Sequence, residues 1–198
     1  MNALPSMTAA CPVCAQPSPT AAICGGCLKR RPSFSATIAA CAYAFPVDRL
    51  VQRLKYEREL SAAEPLGDAL SAAVLRSSPL HRPDGIVAMP LARRRQRERG
   101  FNQSIEIARV VARRCGLPLV SGLTRVGDAP AQASLPWSQR RRNVAGAFAC
   151  ETSFAGRHVA LVDDVMTTGA TLDSAASALK GAGAYRVDAW VVARTPPP

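Results

Sequence analysis

Residues 158–179 read HVALVDDVMTTGATLDSAASAL. Four apolar residues, Val159 to Val162, run into two adjacent carboxylates, Asp163 and Asp164. Val165 and Met166 follow, then a turn of Thr167, Thr168, Gly169, Ala170 and Thr171, then a helical pattern from Leu172 to Leu179. A carboxylate pair where a strand ends is costly unless sugar hydroxyls, a metal ion or backbone N–H groups satisfy it. A strand-to-helix turn gathers backbone N–H groups that lack internal partners, at the positive end of the helix dipole, and so offers a seat for an anion. Gly169 admits close approach and the three threonines add hydroxyl donors. The acids cannot serve the same phosphate, because like charges repel; vicinal hydroxyls suit them, with Mg²⁺ nearby as a further option. A ligand carrying both groups at that separation is a ribose 5-phosphate. The plain alternative is a strand–helix turn with a threonine cap and solvated acids. The ordered succession of apolar strand, acid pair, MTTGAT and helix favours the ribose phosphate.

Working outward, the chain alternates strand-like and helix-like segments. Thr37 to Phe45 reads as a strand; Val47, Leu50, Val51 and Leu54 share one helical face, and Leu66, Leu70, Ala73 and Val74 another. Ile86 to Met89 is a short apolar run stopped by Pro90. Phe101, Ile105, Ala108, Ala112 and Cys115 trace a helix that Gly116 and Pro118 end. Leu117 to Leu123 is the next candidate strand, and Val187 to Ala193 the last. This order predicts a parallel sheet with helices on both faces, with ligands at the carboxyl ends of its strands. The polar connection from Val126 to about Gly146 exceeds ordinary loop length, which marks it as functional or mobile.

At 198 residues the chain fits one ordinary domain with a small appendage. No run of about 18 uncharged apolar residues is present to span a bilayer, and the first ten residues lack signal-peptide character, so membrane insertion is not expected and the expected compartment is the cytoplasm. The formal charge is +11, and from Leu91 to Asn143 twelve Arg face three acids, Glu98, Glu106 and Asp128. Such a patch attracts phosphate-rich partners, small polyphosphates or nucleic acid, although codon bias also makes chains rich in arginine. Arg93 to Arg99 reads either as a solvated helix start or as a surface for pyrophosphate or a nucleic-acid strand. Asn102 and Gln103 would bind that ligand or orient the arginines.

Cys11 and Cys14, then Cys24 and Cys27, form two CxxC pairs nine residues apart. Paired knuckles suit a closed, structural tetrahedral Zn²⁺ site; a redox dithiol at CGGC, or disulfides, are the alternatives. Cys41, Cys115 and Cys150 are isolated in apolar surroundings and expected in the core. His81 and His158 receive no role.

The segment VALVDDVMTTGATL resembles the 5-phosphoribosyl-1-pyrophosphate (PRPP) signature of type I phosphoribosyltransferases. MPLARRRQRERGFNQS and QASLPWSQRRRNVAGAF, with the four-cysteine ribbon, are similar to the ComF family of ComFC- and GntX-like proteins. The resemblance covers nearly the whole chain. It implies an α/β type I phosphoribosyltransferase fold at 36–198, a parallel sheet flanked by helices, and a zinc ribbon at 1–35. It places ribose hydroxyls, and the catalytic role, on Asp163 and Asp164, with the whole run Asp163, Asp164, Val165, Met166, Thr167, Thr168, Gly169, Ala170 and Thr171 binding PRPP and Mg²⁺ accompanying it. Pyrophosphate would lie on the turn from Met89 to Arg93, so Pro90, Leu91, Arg93, Arg97, Arg99, Asn102, Gln103 and Arg141 are candidates for pyrophosphate or nucleic acid. A mobile loop from Gln132 to Phe148 would close over the site, with Arg140 to Arg142 facing the leaving group.

Two functions follow from these residues. One is phosphoribosyl transfer from PRPP to a nitrogen acceptor, in the setting of DNA uptake or utilisation. The other is non-catalytic binding of single-stranded DNA on the basic surface, with the PRPP site a sensor or relic; DNA-uptake or recombination proteins are the expected partners. A base pocket would have to come from about residues 42 to 80, where Tyr43, Phe45 and Tyr56 are available to stack a base or to fill the core.

Overall fold

A computed structural model describes residues 9–77, 82–126 and 146–196. The stretch 127–145, with Arg140, Arg141 and Arg142, lies outside the described residues, as does His81. The main sheet comprises β1 (Thr37–Ala42), β2 (Gly85–Ala88), β5 (His158–Met166) and β6 (Arg186–Arg194), in the order β1-β6-β5-β2. All three pairings are parallel, as the alternating pattern predicts.

Three helices cover one face: α2 (Val47–Tyr56), α3 (Ala63–Ser77) and α5 (Gln103–Cys115). Val51, Leu54, Leu66, Leu70, Ile107 and Val111 meet Ala160, Val162, Trp190 and Val192 of the sheet in one core cluster. Helices α3 and α5 cross closely where Gly67 admits Val110; a Cβ at Gly67 would stand 2.5 Å from that of Val110. The opposite face carries α6 (Ala170–Gly181), a two-stranded antiparallel ribbon of β3 (Leu123–Arg125) and β4 (Phe148–Cys150), and the amino-terminal segment. Cys11, Val13, Cys27 and Phe34 share a core cluster there with Leu161, Met166, Leu172 and Val191. No helix among the described residues is long and apolar enough to cross a membrane.

Several boundaries differ from the sequence reading, each for a local reason. The strand β1 ends at Ala42 rather than Phe45. The amino-terminal segment holds a short helix, α1 (Gly25–Lys29), within the second knuckle. Arg93 to Arg99 is not the start of the long helix but a separate helix, α4, stopped by Gly100 at φ 81. The buried stripe of α5 is Ser104, Ile107, Ala108 and Val111, whereas Phe101, Ile105, Ala112 and Cys115 are half-buried. Phe101 precedes the helix, so it set the expected face from the wrong origin, and the polar Ser104 does not count in an apolar pattern. From the expected strand Leu117–Leu123, only Leu119 bridges β2, at Ile86. Pro118 lacks a donor and Gly122 at φ 120 turns the chain, so β3 begins in a different sheet.

The acid pair stands inside β5, not after it. β2 ends at Ala88, the register partner of Val162, so β5 has an open edge beyond that point. There the N–H of Asp164 donates to Asp163 Oδ1 (2.9 Å) and the N–H of Val165 to Asp164 Oδ1 (2.6 Å). The carboxylates thus satisfy backbone donors at the open edge of the strand.

Candidate functional site

The two carboxylates are held by different helices of one layer. Asp163 Oδ1 also accepts from Ser104 Oγ at the start of α5 (2.9 Å). Asp164 pairs with Lys55 Nζ near the end of α2 (2.7 Å). Asp164 is buried; Asp163 remains partly accessible. Burial, then the neighbouring charge of Asp164, pushes the Asp163 carboxyl up to about 7, opposed by Lys55 and by the two hydrogen bonds it accepts. Neither Ser104 nor Lys55 was a sequence candidate. Their signals were present but faint: Ser104 sits in the GFNQS stretch, and Lys55 is one of three lysines in a chain that otherwise uses arginine.

The RERGFNQS stretch resolves into separate jobs. Gly100 closes α4 in the left-handed region and Asn102 opens α5, its Oδ1 accepting from the N–H of Ser104 (2.9 Å). Asn102 Nδ2 donates to the carbonyl of Met89 (3.0 Å), which fixes the turn after β2 that bears Pro90 and Leu91. Gln103 Oε1 accepts from Arg99 Nη1 (2.9 Å). Asn102 and Gln103 are both buried, so they build and orient the rim. Arg93 and Arg97 are exposed on α4. The Arg99 guanidinium lies 5.3 Å from the centroid of the Tyr56 ring, and Arg58 Nη2 donates to the carbonyl of Glu98 (3.1 Å), so the end of α2 abuts α4. Phe45 and Tyr56 are 76% and 71% exposed and therefore not core; Tyr43 is half-buried against the helical core cluster.

The turn between β5 and α6 follows the acids directly. Gly169 is the residue before the helix, at φ 80, and Thr168 Oγ1 accepts from the N–H of Ala170 (3.2 Å). A Cβ at Gly169 would meet Met166 Cε at 2.7 Å, with Phe34 Cζ at 3.7 Å. Thr167 is exposed, and Thr168, Gly169, Ala170 and Thr171 are half-exposed, so the turn is open to a ligand. Val165 and Met166 face inward to the two core clusters instead.

All four knuckle sulfurs, of Cys11, Cys14, Cys24 and Cys27, lie within 4.8 Å of one another. Sulfurs about 2.3 Å from a central ion in a tetrahedron stand roughly 3.8 Å apart; Cys14 Sγ and Cys24 Sγ are separated by 3.6 Å. The residues therefore fit one metal ion. Burial would raise the Cys11 thiol, but the backbone N–H groups around it, that of Cys24 foremost, bring it down to about 7, favouring the thiolate a metal requires. Burial and the neighbouring thiols push Cys27 well above the usual range. Of the isolated cysteines, Cys41 is buried while Cys115 and Cys150 are half-buried against the two clusters.

The family model for the phosphoribosyl transferase domain matches residues 102–197, which contain Ser104, the acid pair and the β5–α6 turn. DNA utilization protein YhgH of Escherichia coli (strain K12) is 36% identical over 190 residues, covering 93% of this chain and 84% of that protein. Competence protein F of Haemophilus influenzae is 33% identical over 178 residues, covering 86% and 78%. Among solved structures, glutamine PRPP amidotransferase from B. subtilis overlaps 67% of this chain and 26% of its own at 22% identity, with a TM-score of 0.45. With relatives this similar along most of its length, the chain belongs to the ComF family and carries a type I phosphoribosyltransferase fold behind an amino-terminal four-cysteine cluster that can hold a metal.

Proposed function

We propose that this protein binds PRPP with Mg²⁺ at the carboxyl edge of β5 and transfers its phosphoribosyl group to a nitrogen acceptor in the course of DNA uptake or utilisation. The observation that carries this reading is the pairing of a partly accessible carboxylate, Asp163, with an open glycine turn one strand-end away. The turn would take the 5-phosphate and Asp163 the ribose hydroxyls. In this structure both Asp164 oxygens are engaged, by the Val165 N–H and by Lys55, so Asp164 would take part by sharing Lys55 with the ligand. The diphosphate would lie over the Met89–Arg93 turn beside the exposed arginines of α4. In the reaction the acceptor nitrogen attacks the anomeric carbon as the bond from that carbon to the diphosphate oxygen breaks; the diphosphate leaves with the bonding pair, and the proton of the acceptor nitrogen passes to the diphosphate or to solvent. Positive charge grows on the ribose ring as that bond breaks. Mg²⁺ accompanying the ligand would supply charge neutralisation of the leaving group. The acid pair would favour the electron-deficient ribose, and Phe45 and Tyr56 offer exposed rings for a base.

The same reading assigns structural Zn²⁺ to Cys11, Cys14, Cys24 and Cys27, divides the chain into a ribbon at 1–35 and a phosphoribosyltransferase-like domain at 36–198, and places the protein in the cytoplasm. The relatives named for DNA utilization and competence support the process, and the α4 arginines suit DNA phosphates. Calorimetry with Mg-PRPP, followed by pyrophosphate release across a panel of nucleobases and nucleotides, tests the reading. Micromolar binding lost in Asp163→Ala is expected. A folded, metal-loaded protein that releases no heat with Mg-PRPP overturns it, and binding without turnover on any acceptor removes the transferase step.

A further inference from the structure

Arg194 lies just past the expected last strand, Val187 to Ala193, yet it ends β6 and is among the most buried charged side chains described, at 4% exposure. Its Nε donates to the carbonyl of Cys14 (2.9 Å), inside the first metal knuckle. Its Nη1 donates to the carbonyls of Met166 (2.9 Å) and Thr167, at the start of the β5–α6 turn. Gln16, in the amide orientation that satisfies both groups, accepts from the same guanidinium (3.0 Å). One cation thus ties the metal knuckle to the phosphate turn.

We infer that Arg194 is a positioning residue through which metal occupancy of the four-cysteine cluster and ribose-phosphate binding at the β5–α6 turn strengthen each other. The inference rests on the ribose-phosphate and zinc reading above and adds a regulatory link to it. The peptide group is planar and trans, so a carbonyl and the N–H that follows it point in opposite directions. With the Met166 and Thr167 carbonyls fixed toward Arg194, the N–H groups of Thr167 and Thr168 are aimed at the opposite side, where the turn is open. A divalent ion among four thiolates carries a net charge of about −2, and the guanidinium stands between that anion and the seat of a phosphate. The metal fixes the Cys14 main chain, the Cys14 carbonyl fixes the guanidinium, and the guanidinium fixes the amides. A second tie reinforces the first: the N–H of Ser33 donates to Asp173 Oδ1 in the first turn of α6 (2.6 Å), and Phe34 approaches Gly169. Between ribbon and turn lies a cavity of ≈ 290 Å³, lined by Cys24, Phe34, Met166, Thr168, Gly169 and Arg194 among others.

Thermodynamic linkage makes the test two-sided: whatever factor the metal contributes to ligand affinity, the ligand contributes to metal affinity. The full-length zinc-loaded protein is mixed with a chromophoric zinc chelator, with and without saturating Mg-PRPP at equal free Mg²⁺. At equilibrium with the chelator, zinc release is expected to need about tenfold more chelator with the ligand than without it. In cobalt-loaded protein, Mg-PRPP is expected to shift the thiolate-cobalt visible bands. In Arg194→Lys, which keeps the charge and loses the fork, the protein retains one metal per chain while both effects disappear. These measurements use loaded protein, so they hold even if the metal-free chain unfolds. Calorimetric PRPP binding together with unchanged zinc release overturns the coupling alone, as does full linkage persisting in Arg194→Lys. Absence of calorimetric binding overturns the ribose-phosphate reading and the coupling with it.

Discussion

Asp163 is the group whose removal should separate function from stability most cleanly. Its carboxyl is pushed up to about 7 from an ordinary 3.8, first by burial and then by the charge of Asp164. Because the folded pKa lies above the unfolded one, Asp163 favours the fold fully below about pH 4, and that contribution is lost as the pH rises through about 7. The gap of about three pH units corresponds to about 4 kcal/mol at pH 8. Asp163 is partly accessible, so solvent screening reduces the expected cost of its charge to about 2 kcal/mol. Asp163→Asn keeps an oxygen for Ser104 Oγ and the Asp164 N–H and removes the charge. For a chain of this length, about 2 kcal/mol raises Tm by roughly 4–8 °C. Thermal melts of the unliganded proteins are expected to show that gain at pH 8 and a smaller one at pH 5, where the native carboxyl is neutral but that of the unfolded chain is already ionised, while Mg-PRPP binding is lost. A variant no more stable than the native protein at pH 8, or a gain equal at both pH values, would refute the reasoning.

Lys55→Met leaves Asp164 buried without its cation and is expected to cost about 3 kcal/mol in urea unfolding; a loss under about 0.5 kcal/mol would mean that water screens the pair. Asn102→Ala removes both the cap of α5 and the hold on the Met89 carbonyl, for about 1–2 kcal/mol in the same assay. Gly169→Ala forces a side chain into the left-handed region and against Met166; calorimetry should show Mg-PRPP affinity down at least about tenfold with metal content unchanged.

The sheet was legible because its strands are short apolar runs with punctuation: Pro90 after β2, Gly181 at the end of α6 and Gly183 after it. The acid pair and turn were legible because their chemistry is contiguous in the chain. What escaped was chemistry assembled across it. Lys55 reaches Asp164 from more than a hundred residues away, Ser104 reaches Asp163 from another helix, and Arg194, one residue past the expected strand, reaches the β5–α6 turn because β6 ends beneath it. Tyr56 and Phe45 were ambiguous for a related reason: an aromatic beside a helical stripe has no one-dimensional mark of exposure, and only the observed packing shows both to be outside.

The two layers flanking the sheet supply different halves of the site. Helices α2 and α5 deliver Lys55 and Ser104 to the carboxylates, while the ribbon delivers Phe34, Ser33 and the Cys14 carbonyl to the turn and its helix. β5, the strand between β2 and β6, carries the groups on which both halves act. A ligand with hydroxyls at one end and a phosphate at the other would therefore bridge the layers, and disturbance of either should be felt at one end of it first. Loosening the helical layer at the Gly67–Val110 crossing should weaken the grip on the ribose, whereas loosening the ribbon should weaken the grip on the phosphate. Free ribose and inorganic phosphate, each competing against Mg-PRPP, distinguish the two ends. A ribbon defect that changed competition by ribose while leaving competition by phosphate intact would be incompatible with this division of labour.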